Sequence, residues 1–193
     1  RDRSPSRGLG DVYKRQVVVA SYFVPWGFST LIMMRDVGVT YPELYDKHYG
    51  LFFILLGLFS AWLTDSLAYF AGRFFGKHKM APNISPKKTI EGAVGGAFAG
   101  VLSSVILFLV FDSKYFTVHL FTWWEIAIIS LILCVIGMCG DLSASVLKRN
   151  FGVKDYGKLF PGHGGVMDRF DSALFVLGAL YAIIIIYSRI KLA

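Results

Sequence analysis

The sequence predicts an all-α, polytopic integral membrane protein with about five transmembrane helices. Three observations carry this prediction. Of the 193 residues, 55% are hydrophobic and 17% charged, against about 45–50% and about 25% in soluble domains. The apolar residues lie in long continuous runs, not in the alternating pattern of a membrane barrel, and helices satisfy their own backbone in lipid. The remaining charge is concentrated in two stretches between apolar runs. A disordered chain and a nucleic-acid-binding module both fit such a composition poorly, despite a net charge of +7.

Residues 1–16 (RDRSPSRGLGDVYKRQ) are polar and aperiodic, with five Lys/Arg and two Asp. They lack the apolar core and cleavage site of a signal peptide. We read them as an artefactual or disordered tail, and residues 17–193 as a single membrane-embedded domain expected to lack its natural N-terminus.

A spanning helix needs about 20 largely apolar residues. The stretch 17–34 is uncharged, although Pro25 and Gly27 interrupt it. The stretch 50–72 is apolar with one charge, Asp65, and 92–111 has none. The stretch 123–140 opens on Trp123 and Trp124, an aromatic pair suited to an interface. The last, 172–188, is rich in isoleucine. Gly92, Gly96 and Gly100 recur on one helical face and would let a neighbouring helix approach closely. Cys134 and Cys139 have no CxxC spacing and read as packing residues.

Loop charges set the orientation. One basic loop holds Arg73, Lys77, Lys79, Lys87 and Lys88; the other holds Lys148, Arg149, Lys154, Lys158 and Arg169. Two spans separate them, so both lie on one face, which the positive-inside rule makes cytoplasmic. Arg189 and Lys191 are a small exception on the other side.

The second basic loop concentrates the candidate chemistry. From Asp141 to Asp171 it carries four acids, five Lys/Arg, one His and five Gly. Asp168 and Asp171 are three apart and share a face at the start of the last helix, and Asp141 is placed at the end of the preceding one. Three carboxylates at the membrane surface beside Lys and Arg suit one or two hard divalent cations and a polyphosphate. The same two aspartates would also sit well in a helix's first turn with no metal at all. In the first loop, Ser85-Pro86 reads as a helix start, with Ser as N-cap. Free N–H groups there, with Lys87 and Lys88, would attract an anion. Asp65 is costly inside a membrane span and so is a functional candidate.

These residues carry a resemblance. The run from Ser145 to Asp171 resembles the signature of the phosphatidate cytidylyltransferases, or CDP-diacylglycerol synthases. Its fixed positions appear as Ser145, Lys148-Arg149, Lys154-Asp155, Gly157, His163-Gly164-Gly165 and Asp168-Arg169-Phe170-Asp171. DSLAYFAGRFFGKHK from Asp65 and SPKKTIEGAVGG from Ser85 are similar to family stretches too. Members of that family carry further N-terminal helices, so the resemblance implies an N-terminally truncated chain.

The resemblance implies that CTP and phosphatidate give CDP-diacylglycerol and diphosphate, with Mg²⁺ required. It implies Asp141 and Asp168 as metal-coordinating carboxylates, Asp171 completing the cluster, and a second, monovalent cation nearby. Lys148, Arg149, Lys154 and Arg169 are then the expected clamp on phosphate, and Lys87 and Lys88 hold either substrate. Gly164 and Gly165 would admit phosphate close to the backbone, while His163 either donates to phosphate or braces the loop. Ser85, Ser145 and Asp65 complete the substrate-binding set. Expected partners are CTP, phosphatidate and membrane lipids, with no nucleic acid; a homo-oligomer is compatible with this. The expected location is the bacterial plasma membrane.

Rival readings are another CTP-dependent lipid transferase or kinase, a transporter using Asp65, and an inactive fragment. The DG…AR pattern of a CDP-alcohol phosphotransferase does not occur.

Overall fold

The structure, a computed structural model, describes residues 21–22, 24–82, 84–150 and 167–193, apart from the side chains of residues 150 and 167–169. The 1–16 tail lies outside the described residues. Helix α1 (24–35) is followed by α2 (Val37–Thr40) and α3 (Tyr49–Phe75). A hairpin of β1 (Lys79–Ala81) and β2 (Ser85–Thr89) leads into α4 (Ile90–Lys114). Then come α5 (Trp123–Asn150) and α6 (Met167–Leu192).

Four helices, α3 to α6, are long and apolar enough to cross a membrane. The count among the described residues is thus four, against the five expected, because the stretch 17–34 is described only in part. Residues 24–35 are nevertheless helical through both Pro25 and Gly27. Gly27 serves packing: a Cβ there would come within 2.5 Å of Leu174 Cδ2 on α6.

Packing is built for lipid. The buried residues of α4 are Gly92, Gly96, Gly100, Ser104, Phe108 and Phe111, a stripe that steps by four residues as far as Phe108 and by three to Phe111. Its outer side carries Val94, Phe98, Leu102 and Ile106, with Phe98 72% exposed. Small residues inside and large apolar ones outside invert the pattern of a soluble helix. The glycine row seats α4 against α3, since a Cβ on Gly96 would lie 2.6 Å from Ala68 Cβ and from the Thr64 carbonyl. Of the two cysteines, Cys134 is buried beside Thr64, but Cys139 is exposed. A helix in lipid has room for apolar side chains on its outside, so apolarity alone did not imply burial of Cys139.

Helix α3 contacts α4, α5 and α6 and is the centre of the bundle. Its N-terminal end is aromatic. Tyr49 stacks on Phe116 with centroids 4.0 Å apart, and Phe121 stacks on Tyr187 at 4.6 Å. Polar tips tie this end to the 115–122 connection: Tyr49 donates to the Val118 carbonyl at 2.6 Å, and Tyr187 to that of Leu120 at 3.0 Å.

Asp46 completes that tie. It accepts from His48 N at 2.8 Å, Thr117 N at 2.9 Å and the Thr117 hydroxyl at 3.1 Å. Burial pushes its pKa up, but these donated bonds outweigh burial and hold the carboxyl below its ordinary value. A depressed carboxyl pKa contributes stability that is present above the unfolded value, about 4, and is lost as pH falls through the folded one. Thermal unfolding in detergent should therefore show an acid-side loss of stability below about pH 4 that Asp46→Asn reduces.

Candidate active site

The opposite end of the bundle is polar. Here the C-terminal parts of α3 and α5 meet the hairpin, the start of α4 and the start of α6. A cleft of about 240 Å³ opens among them, its polar groups coming from Asp65, Tyr69, Ser85, Lys87, Lys88, Thr89 and Asp141 on a largely apolar lining that includes Met80 and Met138. Five residues singled out from separate parts of the sequence, Asp65, Ser85, Lys87, Lys88 and Asp141, thus share one wall-to-wall space.

The hairpin corrects one local expectation. Ser85-Pro86 does not start a helix, because Ser85–Thr89 is strand β2, paired antiparallel with β1. A residue before proline is biased to extended backbone, which suits a strand. The N-cap is Thr89, whose hydroxyl accepts from Gly92 N at 3.1 Å. Ile90 N donates to the His78 carbonyl at 2.9 Å. Two leading N–H groups of α4 are therefore already used, and the attraction for anions rests on Lys87, Lys88 and the helix dipole.

Depth is the second correction. Helix α5 continues nine residues beyond Asp141, to Asn150, a rise of about 13 Å. Asp141 is consequently not at a helix end, and Asp65 lies ten residues inside the end of α3 at Phe75. The apolar run stopped at Gly140, but the helix did not: Leu142, Ala144 and Leu147 remain buried or half-buried along the extension. Lys148 and Arg149 fall in the last turn of α5 instead of a loop. Asp141, Ser145 and Lys148 are spaced i, i+4, i+7 and form a single stripe.

Two ion pairs organise the charge. Lys88 Nζ pairs with Asp141 Oδ2, joining β2 to α5, with side chains 26% and 22% exposed. Lys148 Nζ donates to Asp171 Oδ2 at 3.0 Å, joining α5 to α6, and both residues are buried. Asp171 Oδ1 also accepts from Ser172 N at 2.8 Å, and the Ser172 hydroxyl donates to Asp65 Oδ2 at 2.7 Å. Asp65 lies within electrostatic reach of Asp141, Lys88 and Asp171. The three carboxylates and two ammonium groups form one connected charge cluster.

Arg149 is exposed on α5, and Ser145 is half-buried. Asp168 and Arg169 are in the first turn of α6, but their side chains lie outside the description. Lys154, His163, Gly164 and Gly165 lie outside the described residues altogether. Thr89 and Ser172 were not anticipated. Thr89 before an apolar run had a capping signal that the neighbouring Ser-Pro masked; Ser172 had none.

Residues 12–187 match the sequence profile of the Cytidylyltransferase family. The chain belongs to that family. Its relatives include the phosphatidate cytidylyltransferases of Staphylococcus saprophyticus, Staphylococcus aureus strain COL and Staphylococcus haemolyticus, at 44%, 42% and 41% identity over 156 residues. Each comparison covers 80% of this chain and 58% of the relative, so the chain spans less than two thirds of the length of these curated relatives.

The donor set of this family member fits a hard divalent cation. Among the described residues no group of three His, Cys, Asp or Glu side chains is placed to hold a metal ion. Mg²⁺ does not ask for one, since it is commonly held by one or two carboxylates plus water and substrate phosphate. Asp65 and Asp141 line the cleft, and Asp141 is part-exposed there, so carboxylate oxygen is presented to an incoming cation.

Proposed function

We propose that this chain carries the catalytic centre of a phosphatidate cytidylyltransferase, converting CTP and phosphatidate to CDP-diacylglycerol and diphosphate. The observation that carries this reading is the cleft itself. Carboxylates for a metal and lysines for phosphate sit together inside a bundle of membrane-crossing helices, where a soluble nucleotide and a lipid can meet. The relatives' names point the same way.

The phosphatidate headgroup is a phosphate monoester, largely dianionic at neutral pH because its second pKa is about 6. It needs no general base to act as nucleophile. One of its oxygens attacks the α-phosphorus of CTP; that P–O bond forms while the α–β anhydride bond breaks, and diphosphate leaves with the electron pair. The difficulty is bringing two polyanions together and stabilising charge on the leaving group.

Lys87 and Lys88 orient phosphate at the hairpin side of the cleft. Arg149 lies on the side of α5, with Lys154 and Arg169 completing the clamp. Lys148 acts differently, bracing Asp171 from inside the bundle. Asp141 and Asp168 would hold Mg²⁺, with Asp171 completing the cluster and a monovalent cation beside it. When bound, Mg²⁺ supplies charge neutralisation of the phosphates. Ser85, Ser145, His163, Gly164, Gly165 and Asp65 line or brace the substrate space in this reading. The basic end faces the cytoplasm, where CTP is found, in a bacterial plasma membrane.

The experiment is direct. The folded chain in phosphatidate-containing vesicles, given CTP and Mg²⁺, should release diphosphate in step with lipid conversion. Release that does not depend on phosphatidate would overturn the assignment.

A further inference from the structure

We propose that Lys88 is a placeholder cation: its ammonium occupies the Asp141 carboxylate until a divalent ion takes that position, and is thereby freed for the nucleotide's phosphates. This rests on the metal role proposed for Asp141, and adds a coupling that the role alone does not contain.

The two ion pairs of the cluster differ in a way that suits this. Lys148 and Asp171 have side chains only 11% and 9% exposed, so separating them would leave charges buried. Lys88 and Asp141 are 26% and 22% exposed and line the same cleft. Exchange at Asp141 therefore happens in an open space, with water and phosphate available to each departing partner. Lysine suits the task because its charge is a compact ammonium on a flexible four-carbon stem. Lys88 also sits on β2, while Asp141 is on α5, so the stem alone can move and leave the bundle undisturbed.

The distinguishing consequence is release of the ammonium. Removing any positive charge beside Asp141 raises cation affinity by relieving repulsion, but only a displaced Lys88 becomes more accessible when the ion binds. Nucleotide phosphates, by accepting the displaced ammonium, should tighten metal binding more in the unmodified chain than in a Lys88 variant.

The test is a titration of the 193-residue chain in detergent with Mn²⁺, free ion being read by electron paramagnetic resonance without nucleotide. Lys88→Met should bind Mn²⁺ about tenfold more tightly than the unmodified chain, a difference of about 1.4 kcal/mol, and Asp141→Asn should lose the site. Equal or weaker binding by Lys88→Met, with loss in Asp141→Asn, overturns the placeholder and leaves the metal role standing. Absence of Mn²⁺ binding in every form overturns both. A second measurement does not depend on the variant folding. In the unmodified chain, amine-selective labelling of Lys88 should rise several-fold when Mn²⁺ is added, while that of Lys114, at the far end of α4, stays constant. Unchanged Lys88 labelling also overturns the proposal.

Discussion

Asp141→Asn should lower phosphatidate-dependent diphosphate release by about a thousandfold while leaving the chain folded. The substitution keeps the shape of the side chain and removes its charge. It thereby takes away a carboxylate proposed to hold Mg²⁺, and with it about 4 kcal/mol of transition-state stabilisation. Asp141 is part-exposed in the cleft, so the fold should not depend on its charge. The check is initial rate in vesicles together with an unfolding curve for the same preparation. A loss smaller than about tenfold, with folding intact, would remove Asp141 from the reacting centre.

The second large effect is on stability. Lys148→Met should destabilise the bundle by about 3–5 kcal/mol, because it leaves Asp171 buried with an uncompensated charge. Both partners are nearly enclosed, at 11% and 9% side-chain exposure. The pair also fastens α5 to α6 next to the Ser172–Asp65 bond, so its loss loosens the packing behind Asp65. Lys148→Met combined with Asp171→Leu should recover much of the loss, since an apolar pair of similar volume avoids desolvation altogether. Unfolding in detergent by denaturant measures both. A single variant as stable as the parent, or a double variant no better than the single, would contradict this account of the pair.

The membrane architecture was legible from sequence because lipid imposes a coarse, strong constraint: a span of sufficient length and apolarity. The glycine row of α4 was legible too, since close helix packing requires small residues at a four-residue step. What escaped the sequence lay at helix ends. Ser85-Pro86 looked like a helix start on local propensity, yet the chain pairs those residues with β1 and delegates capping to Thr89. The end of α5 was misplaced because hydropathy registers the run of apolar residues, whereas backbone hydrogen bonding continues through an amphipathic extension to Asn150.

The candidate site was legible as residue types but not as partnerships. Asp65 stood out as a lone charge inside an apolar run, and Lys88, Asp141 and Asp171 as charges flanking such runs. Nothing in their spacing indicated that Lys88 would pair with Asp141, or Lys148 with Asp171. Those pairings join separate elements and depend on how β2, α5 and α6 come together. They also change the reading of the lysines. Lys148 is a buried brace, and Lys88 is a part-exposed cation lining the cleft.

The most direct test of the account follows the phosphorus of CTP. The folded chain in phosphatidate vesicles with Mg²⁺ is supplied with CTP labelled either at the α- or at the γ-phosphate, and the lipid is extracted. Cytidylyl transfer predicts that α-label enters the lipid and γ-label leaves as diphosphate. Entry of γ-label into lipid, with α-label remaining on the free nucleotide, would identify a lipid kinase and contradict the account.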